Sequence, residues 1–290
     1  MFEKVLVPYD FSENSHYAIQ CLKKIPNVRQ IVLLHIEYNK YPSKVTNVLP
    51  PSVDYARLRL EEVKNTLEIP GINIKTITEE ITGGEISDVI NRIASKEGIS
   101  LTLMGRRGRG VIETLLIGSV ASDILRYGKT DLLLVRSPED DDTISKKHDL
   151  PCPDLFSKVL VCTDFSEPDI VTLCRQELPW IQQVTLIHVV TSGDSKEEVR
   201  SAVDTARVRL DPMTDAFTHT RIPAQSHVCV GSAAEEILSF AKKEDISLIV
   251  LKSTGTRSLL TTLLGRTTAN VARNAQIPVL ILRRPSAKGR

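Results

Sequence analysis

Residues 4–13, "KVLVPYDFSE", return at 158–167 as "KVLVCTDFSE". Each copy runs an apolar, β-branched stretch into an aspartate and then a serine, the pattern of a buried strand ending at a turn and a helix cap. Three more pairs follow in the same order. "IVLLHI" at 31–36 matches "VTLIHV" at 184–189. "ITGGEISDVINRIASKEGISLTLM" at 81–104 matches "CVGSAAEEILSFAKKEDISLIVLK" at 229–252, and "TDLLLVR" at 130–136 matches "IPVLILR" at 277–283. Four matches in one order describe a duplication. The offset is 154 residues at Asp10 and Asp164 but 147 at Gly108 and Gly255. The first copy thus holds about seven extra residues, assigned to the loop-like "YNKYPSKVTNVLPPSVDY" at 38–55.

The period is that of a domain, not of a solenoid repeat. The reading is a first domain at 1–137, a linker at 138–154 and a second domain at 155–290. "SPEDDDTISKKHDLPCPD", at 137–154, carries charge and proline without apolar periodicity, as a solvated tether does. Inside each copy, continuous apolar runs of strand length alternate with helical patterns. Ser12 is expected to cap a helix over about 13–25; "DYARLRLEEVKNTL", "EISDVINRIASKEG" and "SVASDILRYG" supply three more. This alternation predicts two tandem doubly wound α/β domains, each a parallel sheet flanked by helices. Such sheets bind ligands at the carboxyl ends of their strands, where the strand order reverses.

One stretch places bare backbone at that edge. "GRRGRGVIETLLIGSV", 105–120, puts Gly105 and Gly108 directly after a strand and Gly118-Ser119 at the start of the last helix. Glycine lets amide groups approach a bulky anion. A helix N-terminus adds unsatisfied donors and partial positive charge, and a serine hydroxyl adds one more donor. The spacing is neither the dinucleotide fingerprint nor a Walker loop. Arg106, Arg107 and Arg109 could reach phosphates or coat a solvent-facing loop. Asp10, at the end of the first strand, suits a ribose hydroxyl, an adenine amino group or a magnesium ion better than a phosphate. His35 and His188, inside apolar runs, read as core or capping histidines rather than catalytic bases.

The composition excludes several classes. A net charge of +1 and 4% aromatic residues leave no field or stacking surface that argues for nucleic acid. No apolar run approaches the roughly 20 residues of a membrane span. Five irregularly spaced cysteines give no disulfide framework. Cys21, Cys162, Cys174 and Cys229 are expected to be reduced core residues, and the compartment the cytoplasm.

Gly105-x2-Gly108-x9-Gly118-Ser119, with "VPYDFSE", "LLHI" and "ITGGEISDVI", resembles the universal stress protein family, and the resemblance covers both halves. It implies a tandem member whose domains are five-stranded parallel sheets similar to adenine-nucleotide α-hydrolase domains. It implies binding of ATP or AMP, with Pro8 and Tyr9 lining the pocket, Asp10 by the nucleoside and the Ile36 backbone at the adenine. Met104 and Gly105 would flank the ribose. Gly108, Gly118, Ser119 and Val120 would hold the phosphates, with magnesium as a companion through Asp10. It also implies that the halves pair through their last strands as an intramolecular pseudo-dimer, a further homo-dimer being left open.

The second copy departs from the pattern. It keeps Asp164, Gly255 and Gly265, but Lys252 stands where Gly105 does and Arg266 where Ser119 does. Asp164, Val189, Gly255, Gly265, Arg266 and Thr267 are therefore expected to form a weaker second site, a site for another anion, or an empty one. A nucleotide-binding module of stress response or signalling is the leading expectation. A slow magnesium-dependent ATP hydrolase is the alternative, with no catalytic residue assigned. A receiver domain would need an acidic pair before its acceptor strand, and a dehalogenase-type phosphatase a second aspartate where Ser12 stands. Neither is present.

Overall fold

A computed structural model of the chain describes residues 2–39, 51–67, 69–107, 117–137, 152, 154–166, 169–191, 193, 195–253 and 264–283. The chain divides into two compact units, Phe2–Pro151 and Cys152–Arg290.

The N-terminal unit alternates β1 (Lys4–Pro8), α1 (Glu13–Leu22), β2 (Gln30–Tyr38), α2 (Pro51–Thr66), β3 (Asn73–Ile81), α3 (Ile86–Glu97), β4 (Leu101–Gly105), α4 (Ser119–Tyr127) and β5 (Asp131–Val135). The strands lie in the order β3-β2-β1-β4-β5, every pairing parallel. Val5, Leu6 and Val7 are all fully buried, so β1 is covered on both faces, as a central parallel strand must be. The chain steps from β1 to β2 and β3 on one side, then crosses back to β4 and β5 on the other. The carboxyl ends of β1 and β4 therefore meet at the reversal, where α/β sheets take their ligands.

Local chemistry explains the helix ends. Ser12 caps α1, its hydroxyl accepting from the Ser15 amide. Helix α2 begins at Pro51, so five residues of the expected loop are helical; a proline at the first helical position gives up an amide that had no partner anyway. Helix α3 stops where Gly98 turns left-handed at φ 66°, a conformation glycine adopts without steric cost. Helix α1 packs on β4, α2 on β2 and β3, and α3 against α4.

The C-terminal unit repeats the plan with β6 (Val159–Cys162), α5 (Ile170–Glu177), β7 (Val184–Val190), α6 (Lys196–Thr218), β8 (Ala224–Val230), α7 (Ala233–Lys243), β9 (Leu248–Lys252), α8 (Arg266–Asn274) and β10 (Val279–Leu282). Its parallel order is β8-β7-β6-β9-β10, with the reversal between β6 and β9. Cys152, placed in the expected linker, is buried beside Leu155 and Phe156 in the sequence that opens this unit.

Cys162, Cys174 and Cys229 are in no disulfide. Cys21, expected to be reduced with them, is disulfide-bonded, as is Cys152. That removes the cysteine-based argument for a reducing compartment. Among the described residues no helix is long and apolar enough to cross a membrane.

Candidate functional site

At the reversal in the N-terminal unit, the chain leaves β1 through Pro8, Tyr9 and Asp10 and turns sharply into α1. The turn is closed by Asp10, whose Oδ1 accepts from the Ser12 amide at 3.1 Å and from the Ser12 hydroxyl. Phe11, between them, has a left-handed backbone with φ 62°. A non-glycine residue there costs on the order of 1–2 kcal/mol, and aromatic contacts offset it. The Phe11 ring lies 4.7 Å from the His35 ring and 5.2 Å from the Tyr9 ring, and the Arg59 guanidinium sits 4.2 Å over its face. His35 is buried and donates through Nδ1 to the Tyr9 carbonyl at 2.8 Å, with Nε2 3.2 Å from Glu37 Oε2. It caps a strand end, as the sequence suggested. Burial pushes the Tyr9 phenol above its ordinary pKa, while Arg59 pulls it down and Asp10 and Glu13 push it up.

Gly105 ends β4 on the other side of the reversal. A Cβ there would lie 2.9 Å from both the Cβ and the backbone oxygen of Asn14. The missing side chain is what lets the first turn of α1 close on the strand. Asn14 Oδ1 is buried and has no hydrogen-bond partner among the described residues. A buried acceptor left unsatisfied costs roughly 1–3 kcal/mol, so this oxygen is suited to a donor brought by a ligand.

Beyond β4, the Arg106 amide donates to the Val135 carbonyl at 3.0 Å, and the Gly118 amide donates to the Arg106 carbonyl at 2.7 Å. This second bond returns the chain to the end of β4 and starts α4 there. Gly118 is the helix N-cap and offers no side-chain cap. The sequence reading gave the Gly118 amide to phosphate, but that amide holds the base of the loop. The N-terminal end of α4, with no side-chain cap among the described residues, instead offers Ser119, exposed, and Val120, half-buried. Arg106 is 2% exposed, so it neither coats a solvent-facing loop nor lies in solvent. Met104 is buried and Ile36 half-buried at the ends of their strands. Gly108 and Arg109, like Gly255 in the other half, lie outside the described residues. Among the described residues no group of three or more His, Cys, Asp and Glu could hold a metal ion.

The universal stress protein family pattern matches residues 1–136 and again 155–283. The chain belongs to the universal stress protein family. Universal stress protein MJ0577 of Methanocaldococcus jannaschii is 26% identical over 158 residues, which is 47% of this chain and 96% of that protein. A universal stress protein from Archaeoglobus fulgidus, solved by crystallography, is similar over 97% of this chain and 96% of its own, with 24% identity and a TM-score of 0.64. A universal stress protein solved in complex with cAMP is similar over 46% of this chain and 96% of its own, at 20% identity and a TM-score of 0.37.

The second unit of this family member rebuilds the same turn. Asp164 Oδ1 accepts from the Ser166 amide at 3.0 Å and from the Ser166 hydroxyl, and Phe165 has φ 60°. The Phe165 ring lies 4.3 Å from His188, with the Arg209 guanidinium 4.1 Å over it. The sequence analysis missed Phe11, Phe165, Arg59 and Arg209. The signal was available as a fifth repeat, "ARLRL" at 56–60 against "ARVRL" at 206–210. Val189 is half-buried in β7; Gly265 caps α8, with Arg266 and Thr267 in its first turn.

His188 gives the second unit a pH dependence. Burial holds its pKa below the ordinary value near 6.5, and Arg209 lowers it further; a bond to the Thr163 carbonyl and the charge of Asp164 oppose this. As pH falls below about 6.5, the unfolded chain takes up a proton that the folded chain still refuses. Stability is therefore lost on acidification until pH passes the folded value. Trp180 is the single tryptophan and lies in this unit, so its fluorescence reads urea unfolding there. The midpoint should fall between pH 7.5 and 5.5, and His188→Gln should flatten that fall. An unchanged slope in the variant would remove His188 as the cause.

Proposed function

We propose that the N-terminal half binds an adenine nucleotide, ATP or AMP, at the carboxyl ends of β1 and β4, and that binding rather than turnover is its function. The observation that carries this reading is the start of α4. The Gly118–Arg106 bond brings a helix N-terminus with no side-chain cap among the described residues to the sheet's reversal point, where amides and the positive end of the helix dipole favour phosphate. Two acceptors at the other side of the crevice, the Asp10 carboxylate and the unsatisfied Asn14 Oδ1, suit the donors of a nucleoside, its ribose hydroxyls and adenine amino group. In this reading Pro8 and Tyr9 wall the pocket and Met104 and Gly105 adjoin the ribose. The Ile36 backbone meets the base, and Ser119 and Val120 face the phosphates. Asp10 offers a single carboxylate, so magnesium would arrive on the nucleotide and take its other ligands from phosphate and water. A ligand held in this way changes the surface of the loop between β4 and α4, which suits a stress-response or signalling module.

The test is direct. Purified protein is denatured and the released small molecules are identified. The emptied protein is then titrated with AMP and ATP by calorimetry and incubated with ATP and magnesium. The expected result is one adenine nucleotide per chain and no ADP above the blank. Turnover abolished by Asp10→Ala would favour the hydrolase. An absence of heat with either nucleotide would end the binding reading.

A further inference from the structure

The second unit carries a cation of its own across the place where the first has a glycine. Lys252 is the last residue of β9, and its ammonium donates to the Ser166 carbonyl at 2.6 Å. Ser166 belongs to the turn that follows β6, so the side chain bridges the ends of β6 and β9, the two strands that flank the reversal. Ser166 is also the residue whose amide and hydroxyl hold the Asp164 carboxylate. Three carbonyls of this turn are thereby taken by three separate elements. His188 binds Thr163 at 2.9 Å, Arg209 Nη2 reaches Phe165 at 3.5 Å, and Lys252 binds Ser166.

Two further differences agree with this. Glu13 starts α1, but its counterpart Glu167 precedes α5, which starts three residues later, at Ile170. In the first unit the opening turn of α1 touches the bare Gly105; the second unit carries Lys252 at the matching position. On the other flank, the Thr268 hydroxyl in α8 donates to the Lys252 carbonyl at 2.7 Å. Its counterpart in α4 is Ala121, which cannot make that bond.

We infer that Lys252 is a resident substitute for ligand: it ties the Asp164 turn to β9 and occupies the second crevice, so that this unit stays closed without a nucleotide. The inference rests on the proposed function for its ligand, but the tether itself does not. The duplication has produced one half that responds to nucleotide and one that is fixed.

Two measurements on the full chain test it. Hydrogen exchange without any nucleotide should show amides of 164–173 exchanging about tenfold faster in Lys252→Met, which keeps the bulk but removes the ammonium, with β7 and α7 unchanged. Unchanged exchange in that segment would overturn the tether. Native mass spectrometry with AMP or ATP should count one nucleotide on the wild type and two on the double variant Lys252→Gly with Arg266→Ser, which restores the first unit's residues. Two on the wild type, or still one on the double variant, would overturn the occupied crevice. No nucleotide on either protein would end the proposed function, and the exchange result would then decide the tether alone.

Discussion

Gly105→Ala should destabilise the N-terminal unit by about 1–3 kcal/mol, the cost of forcing a methyl group into a closed contact. The new carbon would sit 2.9 Å from the Asn14 backbone oxygen and 2.9 Å from its Cβ. Neither is the end of a flexible chain, so α1 must shift as a body. That shift moves Asn14, Ser12 and the carboxylate that Ser12 holds. Nucleotide affinity should therefore fall at least tenfold with no charge changed, since about 1.4 kcal/mol already gives that factor. Thermal unfolding by circular dichroism and calorimetric titration read the two effects. An unaltered melting curve would show that the helix does not press on the strand end as described.

Ser119→Asp should move stability and binding in opposite directions. The start of α4 has no side-chain cap and no acidic residue in its first turn. A carboxylate there meets the positive end of the helix dipole and should stabilise the empty protein by about 0.3–1 kcal/mol. The same charge would stand where phosphates are proposed to lie, and adenine nucleotide affinity should drop by about tenfold or more through like-charge repulsion. Ser119 is exposed, so the substitution makes no demand on packing. A gain in stability with undiminished affinity would place the phosphates elsewhere and leave the dipole argument intact.

Sequence alone reached the architecture because a parallel sheet leaves a strong trace. "VLVP", "IVLL" and "LLLV" are apolar on consecutive positions, as suits a strand covered on both faces. The carboxyl edge was legible for the same reason: whatever follows such a strand faces the reversal. The finer roles were not legible, because they depend on what meets across the sheet. Gly105 read as backbone beside a ligand, and the sequence did not show its packing neighbour, Asn14, 91 positions earlier. Gly118 read as a phosphate donor, yet its amide is taken by Arg106. The aromatic and guanidinium pair at Phe11 and Arg59 joins positions 48 apart, a distance no local pattern reports. In the sequence Arg106 reads equally as a phosphate contact or as part of a solvent-facing loop, because three arginines fall together; it is buried because it directly continues β4.

The left-handed conformation at Phe11 bears on how the chain acquires its shape. The strain is local and arises as soon as residues 10–12 bend. Its compensation comes from His35 and Arg59, 24 and 48 residues downstream. During synthesis, the Asp10–Ser12 bonds and the Tyr9 contact act at once, while the His35 and Arg59 contacts wait for β2 and α2 to emerge. A nascent chain halted before α2 would carry the bend without the Arg59 brace, and β4 and α4, which bear the other side of the recognition edge, emerge later still.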